Sequence, residues 1–423
     1  VVLLTGANGF IGRHLAEALF AAGHRVVCAV RDPERGSDAR YRYVEADFTR
    51  DFGITDWLQR LHGIDVVINA VGIIHEQGEQ TFQAIHVCAP HALFSACVES
   101  DVRLVLQISA LGADAQAQSR YHLSKKCADD YLAALPVHSV IVQPSLVFGI
   151  GGASARLFTT LASLPLIGLP GSGNQQIQPV HVDDAVAAMV TLLERPVPSG
   201  TRIALVGPKA MSLRCYLATL RHAMGFGKPH FISMPLPLVH AAAAIAPMLP
   251  GNLLDPETLQ MLERGNTAGS AQITTLLGRE PRSPKQFITS GELSYARLQA
   301  QLNWLLPLLR ISIALVWIVT GIVSLGLYPV EDSYALLARV GIVGALAPLM
   351  LYGAALLDLA FGIATLILRK RRLLWLAQLS VIVFYTIIIS WRLPEFWLHP
   401  YGPLLKNLPM VAAIWMLLEL EER

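Results

Sequence analysis

The chain has 423 residues, 53% of them hydrophobic and only 15% charged, with a mean hydropathy of +0.47. That is too apolar and too charge-poor for an ordinary soluble protein, and long enough for two or three structural units. A formal net charge of +2, with no basic stripe and no basic-aromatic interleaving, excludes nucleic acid as a partner. Cys28, Cys88, Cys97, Cys127 and Cys215 are scattered without C-x-x-C spacing, and read as buried, reduced thiols of a cytosolic compartment. The His residues show no metal-ligand spacing either, so no metal site is expected. The first residues read as a strand rather than as a signal peptide.

"VVLLTGANGFIGRHLAEALFAAGHRVVCAVRD" opens the chain. An apolar run at 1–4 is of strand type. Gly6, Gly9 and Gly12 follow as G-x-x-G-x-x-G; Phe10, Ile11, His14, Leu15, Ala18 and Leu19 then recur at helical spacing, and Gly23 stops the helix. "HRVVCAVRD" is a second strand. A strand that turns sharply into a helix, with glycines where a backbone must approach a pyrophosphate, is the unit that binds a dinucleotide. The helix N-terminus offers its free N–H groups to the phosphates. After the second strand, Arg31 precedes Asp32, with Arg35 nearby. A guanidinium pairs with a 2′-phosphate and favours NADP, whereas Asp32 on the ribose would favour NAD.

The alternation continues. "YRYVEADF" ends a third strand at Asp47, "IDVVINAVG" is a fourth, "RLVLQISALGA" a fifth and "HSVIVQPSLVFG" a sixth, with helical stretches between. This predicts an α/β fold with a doubly wound parallel sheet and a ligand crevice at the carboxyl ends of its strands. Between the fifth and sixth strands, "SRYHLSKK" holds Tyr121 and Lys125 four positions apart, on one face of a helix.

Taken together, "TGANGFIG" at 5–12, "NAVG" at 69–72, Ser109 in "ISALGA" and "YHLSK" at 121–125 resemble an extended or atypical short-chain dehydrogenase/reductase. "PSLVFG" at 144–149 and "HVDDAV" at 181–186 add later markers of the extended branch. The resemblance covers about residues 1–295. "VRDPER" and "SALGAD" are in the style of the atypical branch that includes the NADPH-binding accessory subunit of respiratory complex I. The resemblance implies a Rossmann-type domain and a catalytic set of Ser109, Tyr121 and Lys125. Lys125 would stabilise the Tyr121 phenolate and hold the nicotinamide ribose, while Ser109 would bond the substrate oxygen and the Tyr121 hydroxyl. It further implies cofactor contacts from Thr5, Gly6, Asn8, Gly9, Phe10, Ile11, Gly12, Arg31, Asp47, Phe48, Ala70, Val71, Gly72, Lys125 and Pro144, to NADP or alternatively NAD. Two positions depart from the family pattern. His86 stands where many members carry an Asn that organises a proton relay, and Gln143 replaces the usual Arg.

A small substrate lobe is expected mainly from 150–180 and 207–295, completing a domain of 1–298. Asp183 or Asp184 is read as the cap of a helix. "LPLVHAAAAIAPMLPG" at 236–251 is read either as core or as an interfacial helix. The lobe's apolar character points to a lipid-like or aromatic substrate.

Residues 299–423 are read as an all-α transmembrane domain with four spans, about 306–327, 341–368, 373–391 and 404–420. The segment resembles the DoxX-like four-helix domain. "RKRR" at 369–372 puts that hairpin, and with it the N-terminal domain, on the cytoplasmic side of the membrane, the inner membrane in a bacterium. Trp391, Trp397 and Tyr401 form an aromatic belt, Arg310 snorkels to the surface, and Asp358 is an acid inside a span. Three functions fit: a membrane-anchored NADP(H)-dependent oxidoreductase acting on an apolar or membrane-associated carbonyl or hydroxyl compound; a non-catalytic scaffold or assembly subunit with a membrane-complex partner; or a sugar-nucleotide epimerase or dehydratase.

Overall fold

The computed structural model describes residues 1–36, 38–245, 256–400 and 402–421. The chain divides into two compact units, Val1–Ala300 and Gln301–Arg423. In the first, β1 (Val2–Thr5) leads into α1 (Phe10–Ala21), followed by β2 (Val26–Val30), β3 (Arg42–Glu45), α2 (Ile54–Leu58) and β4 (Val66–Asn69). A π-helical turn, Gln83–Cys88, runs into α3 (Ala89–Glu99); then come β5 (Leu104–Ile108), α4 (Arg120–Ala134) and β6 (Ser139–Pro144). A further strand, Thr201–Leu205, lies parallel beside β6 and completes a seven-stranded sheet. Its order is β3-β2-β1-β4-β5-β6 and then Thr201–Leu205, so the winding reverses between β1 and β4. A ligand crevice forms at such a switch point.

The strands are near-continuous apolar runs because both faces are covered. Alternation along β1 sends Val2 and Leu4 into one core with Leu15 and Leu19 of α1 and with Val186 and Met189. It sends Leu3 into the other, with Val27, Val67, Leu93 and Phe94, and with Ala128 and Leu132 of α4. The lobe hangs on three short strand pairs: Val147–Phe148 with Val180–His181, Gln176–Ile177 with Met211–Ser212, and Ile167–Pro170 with Phe231–Met234. The helix Leu236–Ile245 divides the two readings of 236–251: Val239 and Ala243 pack on Leu259, while Leu236 and Leu238 are exposed. The rest of that stretch lies outside the described residues.

Two expectations for this unit are corrected. Neither Asp183 nor Asp184 caps the helix Val182–Leu192. The N-cap is His181, whose ring accepts from the Asp183 N–H at 3.3 Å. Asp183 instead pairs with Arg282, and Asp184, fully buried, pairs with Arg279 and accepts from the Arg282 N–H. A buried carboxylate needs such charged and hydrogen-bonded partners. Of the thiols, Cys28 and Cys97 are buried, but Cys127 and Cys215 are exposed because they fall on the outer faces of their helices.

In the second unit, three helices among the described residues are long and apolar enough to cross a membrane: Leu293–Leu327, which starts in the first unit, Leu346–Ile367 and Arg372–Arg392. The expected fourth span is shorter. Asn407–Leu420 has 14 residues, about 21 Å of helix against a hydrocarbon core of about 30 Å. The second span begins at Leu346 rather than 341, leaving Pro348 in its first turn, where no N–H is missed. Arg310 does not snorkel freely; it pairs with Glu421, which also accepts from the Trp375 indole at 3.1 Å. Trp391 is exposed, and Tyr401 lies outside the described residues.

Candidate active site

The turn after β1 is built by its glycines. Gly6 has φ +68°, and a Cβ there would lie 2.8 Å from the main chain of Ala70. At Gly12 a Cβ would lie 2.1 Å from the Gly6 carbonyl oxygen, so α1 packs directly on the turn. Gly9 is the N-cap of α1, and no side chain caps it, which leaves the first-turn N–H groups for an anion. This cradle fits a dinucleotide pyrophosphate. Asn8 is exposed beside it, Ile11 is half-buried against the sheet, and the Phe10 ring packs against Gly149 and Gly152. Arg31 is exposed just past the end of β2.

Several residues expected at the cofactor are occupied by the protein itself. The Thr5 hydroxyl donates to Asn69 Oδ1 at 2.6 Å, and Asn69 Nδ2 donates to Gln107 Oε1 at 2.8 Å, a buried polar row across β1, β4 and β5. Sequence reading had no means to find Gln107, because the row exists only in the strand register. Asp47 Oδ1 accepts from the Thr49 N–H and hydroxyl, and Phe48 is buried edge-on against Trp57. Pro144 contributes its carbonyl to the Leu111 N–H at 2.9 Å.

At the end of β4 the chain passes Ala70, Val71 and Gly72. Lys125 Nζ, buried on α4, donates to Val71 O at 3.3 Å and to Ile108 O at 3.2 Å. A Cβ at Gly72 would lie 2.9 Å from that nitrogen, so the glycine makes the room. Two of three ammonium hydrogens are thus placed, leaving one donor. Burial pushes Lys125 down to about 8, with Asp129 opposing the shift. Tyr121 is half-buried among Phe82, His86 and His122, and its hydroxyl makes no hydrogen bond among the described residues. Burial, then the charge of Asp129, pushes its phenol up to about 12. The proton therefore stays on the oxygen at neutral pH, as a proton donor requires.

Ser109 departs from expectation. Its Oγ donates not to Tyr121 but to Asp129 Oδ2, at 2.5 Å. A hydroxyl has one hydrogen, so it cannot serve both. His86 does organise its surroundings. Its Nε2 accepts from the Ile73 N–H at 3.0 Å, its Nδ1 meets Ser124 Oγ at 2.8 Å, and that hydroxyl donates to Tyr121 O at 2.8 Å. Only the Nδ1–H tautomer satisfies all three bonds. Burial, then Lys125, holds His86 neutral, down at about 2. Gln143 Nε2 donates to Ala113 O. Beside the start of α4, Gln116, Gln118, Gln260, Glu263 and Arg264 line an open cavity of about 630 Å³. Among the described residues, no group of His, Cys, Asp and Glu could hold a metal.

Comparison with known proteins follows the two units. Residues 2–207 match the NAD dependent epimerase/dehydratase family, and residues 314–415 match the DoxX-like family. The chain is 30% identical over 249 residues to a ceramide reductase of Caulobacter vibrioides, covering 58% of this chain and 77% of that protein. It is 29% identical over 262 residues to NADH dehydrogenase (ubiquinone) 1 alpha subcomplex subunit 9, mitochondrial, of Arabidopsis thaliana, and spans 62% of that subunit. Among solved structures, a nucleoside-diphosphate-sugar epimerase from Staphylococcus aureus superposes with a TM-score of 0.56 at 16% identity, covering 68% of this chain and 98% of that one. A UDP-glucuronic acid 4-epimerase from Bacillus cereus, solved with UDP-glucuronic acid and NAD, gives 0.52 at 20% identity, covering 71% and 98%. At these identities the likeness is one of fold.

Proposed function

Because the chain belongs to the NAD dependent epimerase/dehydratase family and carries a DoxX-like membrane domain, we propose that it is a membrane-anchored, NADPH-dependent oxidoreductase that reduces the carbonyl of a long-chain amphiphile. The observation that carries this reading is the buried Lys125, held on two carbonyls with one donor left, one helical turn from a phenol that keeps its proton. Gly6, Gly9 and Gly12 would cradle the cofactor, which when bound would supply the hydride. Tyr121 gives its proton to the developing alkoxide, and Lys125 steadies the phenolate left behind. Arg31, exposed past the end of β2, would pair with the 2′-phosphate that distinguishes NADPH.

The amphiphile is supported by the apolar spans, by the exposed Leu236 and Leu238 of the lobe, and by the named activity of the Caulobacter relative. The cavity beside α4 favours a neutral polar head over a nucleotide diphosphate. Three of its five side chains are amides, and its Arg264 is already bound to Asp114. The catalytic unit faces the cytoplasm, a reading that the basic hairpin at 369–372 supports; a reporter fused at residue 370 should read cytoplasmic, and a signal from the opposite side overturns that orientation.

The test uses the full chain in lipid nanodiscs with NADPH, over long-chain ketones, 3-oxo-N-acylsphingoids, quinones and UDP-sugars. Reduction of a carbonyl amphiphile, with UDP-sugars untouched, is the expected result. A chain that binds NADPH, turns over nothing and is fully complemented in cells by Tyr121→Phe is a scaffold rather than an enzyme.

A further inference from the structure

The contact between Ser109 and Asp129 has a chemical consequence. Asp129 sits on α4 one turn beyond Lys125, at 0% exposure; Oδ2 accepts from Ser109, and Oδ1 has no hydrogen-bond partner among the described residues. While Asp129 is a carboxylate, the only hydrogen on Ser109 Oγ points to it, and Ser109 can only accept from a molecule in the cleft. A substrate carbonyl also only accepts, so the two cannot bond. A proton on Asp129 reverses the pair. The acid donates to Ser109 Oγ, and the Ser109 hydrogen is free for a carbonyl oxygen. An alcohol, which can donate, is matched by the ionised form instead.

We propose that Asp129 is a positioning residue whose proton sets the direction in which Ser109 donates: protonated for carbonyl reduction, ionised for alcohol oxidation. This rests on the reading of Ser109, Tyr121 and Lys125 as the catalytic set of a reductase. A fully buried carboxylate with one oxygen unsatisfied is costly, which favours the protonated form. The groups facing it agree. Burial pushes Asp129 up to about 6 and Asp130 adds to this, while the Ser109 hydrogen bond, Lys125 on α4 and Arg202 on the neighbouring strand pull the other way. Arg202 is itself bonded to Asp130 at 2.5 Å, and Tyr121 feels Asp129 as a neighbouring charge. The proton on Asp129 is not consumed; it only turns the hydroxyl.

The experiment compares wild type, Asp129→Asn, Ser109→Ala and the double variant, as full chains in nanodiscs. Reduction of a 3-oxo-N-acylsphingoid with NADPH, and oxidation of its alcohol with NADP, are followed across about pH 5–8. In the wild type, reductive kcat/KM should fall by up to about tenfold per pH unit above about 6, while oxidation does not. Asp129→Asn should lose that limb, and in the Ser109→Ala background it should change nothing further. Infrared difference spectra between the two pH extremes should show a protonated-carboxyl band in the wild type that Asp129→Asn lacks. Turnover without that band, an unchanged limb in Asp129→Asn, or an effect that persists without Ser109 overturns the proposal alone. A missing turnover in every protein overturns the functional reading, and this proposal with it.

Discussion

The two units of this chain solve burial in opposite senses. In Val1–Ala300 the sheet core is apolar, and the buried charges are tied down: Asp184 by Arg279 and Arg282, Lys125 by two carbonyls. In Gln301–Arg423 many large apolar side chains point outward, with Ile367 at 71% and Leu373 at 83% exposure. Inside, a smaller apolar cluster that includes Phe361, Trp375 and Ile414 is joined by a polar row: the Trp317 indole donates to Gln378, and Gln378 donates to Thr365. The same residue types are sorted by two solvents. Water makes apolar burial the driving force in the first unit; hydrocarbon removes that force from the second, where packing and interhelical hydrogen bonds remain. Asp358 is the exception that both settings share with Asp129, a buried carboxyl with one oxygen that has no hydrogen-bond partner among the described residues.

This contrast can be pressed by substitution. The largest effect is expected at Tyr121. Tyr121→Phe keeps the ring among Phe82, His86 and His122 but removes the proton donor. It should lower kcat by about 10²–10⁴-fold with NADPH affinity unchanged; a rate within threefold of wild type would remove Tyr121 from the chemistry.

Next comes Asp129→Asn. The folded carboxyl sits at about 6, above the ordinary ~3.9 of a free Asp. Its contribution to stability is therefore complete below about pH 4 and is lost as pH rises through 6. His86, held neutral, works in the opposite sense, its contribution being lost as pH falls below about 6.5. Only the difference between variant and wild type isolates Asp129. Denaturation of the first unit should show Asp129→Asn gaining up to about 3 kcal/mol on wild type between pH 4 and 7, and a difference that is flat with pH would contradict it.

Arg31→Asp comes third. It should weaken NADPH about 10- to 100-fold, the worth of one or two charge-assisted bonds, and leave NADH nearly as it was. Equal losses in titrations with the two nucleotides would reject the 2′-phosphate contact.

The smallest change belongs to the membrane unit. Gln378→Leu breaks the row to Trp317 and Thr365, yet should cost only about 0.6 kcal/mol, because an unfolded membrane helix also finds partners. Measured in detergent or bilayer, a loss several times larger would mean that the polar row holds this unit together as apolar burial holds the other.

What could be read along the chain was whatever the chain settles locally. The glycine turn was legible because Gly6 needs a positive φ, and because Gly12 must touch the turn that precedes it. Strands buried on both faces announce themselves as apolar runs. Tyr121 and Lys125 were legible as a pair because four residues make about one helical turn. The membrane helices were legible by length and hydropathy, with the last one overread, since 404–420 is apolar enough but only Asn407–Leu420 is helical. His86 could be flagged as a departure, though not given a role, because its partners Ile73 and Ser124 come from two other segments.

Asp129 gave no signal at all. An acid four places after a lysine on a polar helix reads as a solvated ion pair, and the lobe's two-residue strands were equally silent. Packing alone decided both. Ser109 lies at the end of β5, 20 residues before Asp129, and only the parallel crossover through α4 lays that helix against the sheet and shuts water away from the carboxyl. Local backbone preference and hydrophobic period are properties of neighbours in sequence. The burial of a charge, and the choice of which hydroxyl faces it, are properties of neighbours in space.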